Sequence, residues 1–107
     1  MNDAQSHPPA AEIERQLLAA LCASALDPQT RSEILDRLRT HTFANPDHEV
    51  IFQALAKMPP APIARIRETL GARLTLLGFP DIDVTPILEL EPPSAEKIPV
   101  LLTQLGR

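Results

Sequence analysis

Apolar residues recur at steps of three and four through most of the chain, and prolines interrupt them. Ile13, Leu17, Leu21 and Ala25 are spaced four apart, with Leu18, Ala20, Cys22 and Ser24 beside them. This pattern predicts an amphipathic helix over residues 10–26. Glu12 and Glu14 fall in its first turn, where the helix dipole favours negative charge. Asp27-Pro28 ends it and starts the next, because a residue before proline is pushed out of the α region while Asp caps and Pro opens a helix. The second helix is expected over 28–40, with Ile34, Leu35 and Leu38 inward and Arg31, Glu33, Asp36, Arg37 and Arg39 toward water.

The same punctuation returns at Asn45-Pro46, after the short link 41–44 that should make helices two and three neighbours. Asn45 can cap, Pro46 needs no partner at the first position, and Asp47 and Glu49 complement the dipole. Val50, Ile51, Ala54, Leu55 and Met58 form one apolar face, widened by Phe52, and Phe43 can fold back onto it. This third helix is expected to be the central one. Pro59, Pro60 and Pro62 break it. A fourth helix should run over 62–77 on Ile63, Ile66, Leu70, Leu74 and Leu77. Gly71 lies inside it and suggests a close helix–helix contact, and Gly78 can end it in the left-handed conformation. A short fifth helix to about residue 90, capped by Asp83 or Thr85, and a sixth over 95–105 behind Ser94 complete the pattern. No alternating strand pattern occurs. The expectation is an all-α fold, a single small orthogonal bundle of about six helices over residues 10–107, with residues 1–9 a flexible polar lead.

Composition narrows the function classes. One domain suits 107 residues. Trp and Tyr are absent, so aliphatic side chains must fill the core. The net charge of −4 argues against general nucleic-acid or anionic-membrane binding, which need a basic surface. The N-terminus lacks an apolar signal segment, and no apolar run approaches membrane-spanning length. The single cysteine has no internal disulfide partner. The expected compartment is the cytoplasm. The 12 prolines, against a usual share of about 5%, sit mostly at helix boundaries.

No residue set forms an active site. His41 and His48 lie seven apart near Asp47 and Glu49, but not at the i, i+3 or i, i+4 spacing of a helical metal pair. Asp81 and Asp83 suit helix capping at least as well as Mg²⁺ binding. Cys22 stands on an apolar face, with no sequence neighbour that would activate it. There is no Gly-x-Ser-x-Gly elbow and no phosphate loop. Arg65, Arg67 and Arg73 give the fourth helix a basic surface. The aromatics that stack on single strands are missing, and a solvated helix face explains these arginines as well.

The order of elements resembles a known family. Glu12-x-x-x-x-Leu17-Leu18-x-Ala20-Leu21, Asp27-Pro28, Ile34-Leu35-x-x-Leu38 and Phe43-x-x-Pro46-x-His48-x-x-Ile51-Phe52-x-Ala54-Leu55 are similar to the N-terminal domain of the replicative DNA helicase DnaB. That domain shares its fold with the helicase-binding domain of the primase DnaG. The specific part is Phe43, Pro46, His48, Ile51 and Phe52. The sequence departs from the family at Ala64, where an Asp is usual, and at Phe79-Pro80-Asp81, where a Gly-Gly pair is usual. The family's domain continues into a subunit-pairing hairpin and an ATPase domain. The 107 residues hold at most the start of that hairpin, so unwinding by them alone is not expected. The resemblance implies a non-catalytic, cofactor-free interaction module, an adaptor touching DNA replication through helicase, primase or a second copy of itself as a homodimer. The alternative is a small DNA-binding regulator that uses Arg65, Arg67 and Arg73.

Overall fold

The computed structural model describes residues 9–23, 26–58 and 63–105. Residues 1–8 of the expected lead at 1–9, and the break at 59–62, lie outside them. Six α-helices and no strand occur among the described residues: α1 (Ala10–Leu21), α2 (Pro28–Arg39), α3 (Pro46–Ala56), α4 (Ile63–Leu76), α5 (Thr85–Leu88) and α6 (Lys97–Leu105). The all-α expectation holds.

Local signals set the boundaries. The Asp27 carboxylate accepts the Thr30 N–H at 2.9 Å and the Thr30 hydroxyl at 3.0 Å, closing the first turn of α2. Asn45 Oδ1 accepts the Asp47 N–H at 2.9 Å at the start of α3. Each cap satisfies one of the donors that a helix start leaves without a partner. Gly78 takes a positive φ of 94° just after α4, in the region open to glycine. Asp83 Oδ1 accepts the Thr85 N–H at 3.0 Å ahead of α5.

Packing overturns the expected centre. α1, not α3, is the hub: it packs against α2, α3, α5 and α6, while α4 lies on α3. Leu17, Leu18, Ala19, Ala20, Leu21 and Cys22 are all buried, and a helix segment apolar all round belongs in the interior. Fully burying a leucine side chain contributes about 1.5–3 kcal/mol, so Leu17 and Leu18, both at 0% exposure, are major contributors. α2 and α3 do not pack broadly on each other despite their short link; both lie on α1.

Other expectations shift. α1 ends at Leu21, not near residue 26, because the chain turns there: the Ala23 N–H bonds to the Ala20 carbonyl at 3.0 Å and the Leu26 N–H to Ala23 at 3.2 Å. α5 stops at Leu88, and α6 begins at Lys97, whose N–H reaches the Ser94 carbonyl at 3.0 Å. Gly71 marks no close contact, since a Cβ there would meet nothing within 4 Å. Leu77 is 44% exposed and not in the core. Arg31, expected toward water, is half-buried instead. Its Nη1 donates to the Leu21 carbonyl and its Nη2 to that of Met58, both at 2.9 Å, with Leu55 at 3.5 Å. One guanidinium thus satisfies carbonyls at the ends of α1 and α3, groups that a helix leaves without partners.

Candidate protein-docking site

The most concentrated polar chemistry lies inside the bundle. Glu14, on α1, is completely buried. Its Oε2 accepts from His41 Nε2 at 2.7 Å and the Ala44 N–H at 2.6 Å. Its Oε1 accepts from His48 Nδ1 at 3.0 Å and the Asn45 N–H at 3.3 Å. A carboxylate is acceptor-only with about four lone-pair sites, so all four are occupied, and both imidazoles must carry their proton on the nitrogen facing Glu14. Burial pushes the Glu14 carboxyl up, but the bonds from the Ala44 N–H, His41, His48 and the Asn45 N–H outweigh it and hold the group below its ordinary value.

This cluster organises the segment that leads into α3. His41 packs edge-on against Phe43, with ring centres 5.0 Å apart, and Phe43 lies 5.7 Å from Phe52. The family-motif residues thus act together. Phe43 and Phe52 pack, Pro46 opens α3, Ile51 is in the core, and His48 holds Glu14. Sequence reasoning placed Glu14 in the first turn of the first helix as an acid favoured by the helix dipole. The signal it missed is spacing: Glu14 stands four before Leu18 and seven before Leu21, inside the apolar face. No three His, Cys, Asp or Glu among the described residues are arranged to hold a metal ion, and one ring nitrogen of each of His41 and His48 is spent on Glu14.

Phe52 carries the arrangement to the surface. Between α3 and α4 lies a groove of about 290 Å³ with a floor of Phe52, Ala56, Leu76 and Leu77. Leu76 is 85% exposed. Arg39, Lys57 and Arg73 stand around this floor, and no acidic residue among the described residues lines it. Arg39 pairs with Asp36 at 2.8 Å, whereas neither Lys57 nor Arg73 forms an ion pair among the described residues. Of the three arginines singled out on the fourth helix, Arg73 lines the groove, while Arg65 and Arg67 are exposed elsewhere on α4. The structure therefore groups Arg73 with Lys57 and Arg39.

The remaining candidates have structural roles. Burial pushes the Cys22 thiol up to about 11, only partly offset by the Arg31 charge, so the thiolate nucleophile is scarce near neutral pH. Asp83 is held below its ordinary value by hydrogen bonds from the Thr85 backbone and side chain. No helix among the described residues is long and apolar enough to cross a membrane.

The family model of the DnaB-like helicase N terminal domain matches residues 6–63, just over half of the chain. No curated protein and no solved structure matches it significantly.

Proposed function

The chain belongs to the DnaB-like helicase N-terminal domain family, and on that premise we propose that it is a non-catalytic protein–protein interaction module that docks onto a replication protein, helicase or primase. Family membership carries the reading. The apolar surface at the end of α4, with Leu76 and Leu77 exposed, supports it, because an apolar patch with a polar rim is the usual anatomy of a docking surface. Four of the chain's titratable groups are engaged in holding the fold: His41 and His48 on Glu14, and Asp83 on Thr85.

The test is calorimetric titration of this protein with the helicase and the primase of the same cell, with light scattering to follow self-association. Binding to either at low-micromolar Kd or tighter, about −8 kcal/mol, is the expected result. No heat with either partner from a folded sample overturns the reading. DNA binding with a steep salt dependence would replace it with a regulator that uses the α4 arginines.

A further inference from the structure

The groove between α3 and α4 has a chemistry that selects its occupant. Its floor is apolar, from Phe52, Ala56, Leu76 and Leu77, and its rim is cationic in a chain whose net charge is −4. The Arg39 charge is met by Asp36. Lys57 and Arg73 have no carboxylate partner among the described residues, and the Arg73 Nε is buried without a hydrogen-bond partner. We propose that this groove is a docking site for an acidic amphipathic helix of another protein, its apolar stripe on Leu76 and Leu77 and its carboxylates on Lys57 and Arg73. The inference deepens the adaptor reading above by naming the face and the kind of segment that it takes.

Three observations favour this occupant. A groove between two helices receives a third through apolar residues at i, i+3 or i+4 and i+7. At about 290 Å³ it lies at the lower edge of small-molecule pockets, and it fits a few side chains projecting from a helix. Charges act over about 8 Å at physiological salt, so the local cations, and not the overall −4, set what approaches. A second copy does not supply the segment. Outside the groove, its large exposed apolar side chains among the described residues are Phe79, in the turn after α4, and Val100, on α6, and these form no acidic apolar stripe.

The test uses the full chain labelled with ¹⁵N and two designed helical peptides about four turns long. Both carry the same leucine stripe, one flanked by glutamates and the other by lysines. The glutamate peptide is expected to move the amide signals of Gln53, Lys57, Arg73 and Leu77, and the lysine peptide to bind about tenfold more weakly. Lys57→Glu with Arg73→Glu should reverse that preference. Leu76→Asp, at a position exposed enough to leave the fold intact, should weaken both peptides. Equal binding of the two peptides, signals that move on α6 instead, or concentration-dependent self-association abolished by Leu76→Asp would overturn the proposal.

Repeating the helicase and primase titrations with these variants separates the two readings. Native binding that the variants leave unchanged defeats this site and spares the adaptor role. A peptide that maps to the groove, with no binding to either replication protein, does the reverse.

Discussion

Replacing Glu14 with glutamine keeps the side chain's shape but removes its charge and half of its accepting capacity. Two backbone donors, the Ala44 N–H at 2.6 Å and the Asn45 N–H at 3.3 Å, point at it and cannot turn away. His48 can change tautomer, so the amide nitrogen should settle on the Asn45 and His48 side, leaving the Asn45 N–H without an acceptor. Hydrogen bonds to a charged acceptor contribute about 1.5–3 kcal/mol and an orphaned buried donor costs about 1–3 kcal/mol, so the expected loss is about 2–4 kcal/mol. In a domain of this length that lowers Tm by roughly 10–25 °C. Urea and thermal unfolding of both proteins measure it. The folded carboxyl lies below its ordinary value. Its contribution is therefore present above the unfolded value of about 4.3 and is lost as pH falls through the folded one. As the pH falls below that unfolded value, the carboxylate's contribution is lost and the stability gap between the two proteins should narrow. A loss below about 0.5 kcal/mol, the range of ordinary surface substitutions, or a gap that persists unchanged into acid, would refute the assigned role.

Other consequences follow from the same packing. Gly71→Ala should stabilise the protein by about 0.5–1 kcal/mol, since the position is helical and open, whereas Gly78→Ala should destabilise it because φ there is 94°; denaturation midpoints decide both. Arg31→Met should cost about 2–3 kcal/mol by orphaning the Leu21 and Met58 carbonyls, and Arg31→Lys should recover only part of it, as an ammonium lacks the fork that reaches both; chemical unfolding of the pair tests this. Cys22, buried and with its thiol pushed up to about 11, should react with a disulfide reagent at neutral pH only at the rate at which the protein opens, and fast labelling of the native protein would contradict that.

What could be read from the residue order was what depends on one or two helical turns. Asp27 and Asn45 cap helices because their side chains reach N–H groups two or three residues on. Gly78 stops α4 because only glycine enters that backbone region without strain. The buried faces of α2, α3 and α6 follow from periodicity alone, with Ile34 and Leu38, Ile51 and Leu55, and Ile98 and Leu101 inside as their spacing requires. The motif of Phe43, Pro46, His48, Ile51 and Phe52 already pointed to the family.

Tertiary structure decided which polar groups go inside and which charges meet. Glu14 looked like a dipole-favoured first-turn acid because the donors that make its burial favourable arrive from 27 to 34 residues along the chain. Arg31 looked like a solvated helix charge until the ends of α1 and α3 came together within reach of its guanidinium. Arg73 was grouped with its neighbours on α4, but its companions in space are Lys57 and Arg39. Periodicity reports which face of a helix is apolar. It does not report which helix covers that face, and a buried charge is stable only when its partners are brought to it.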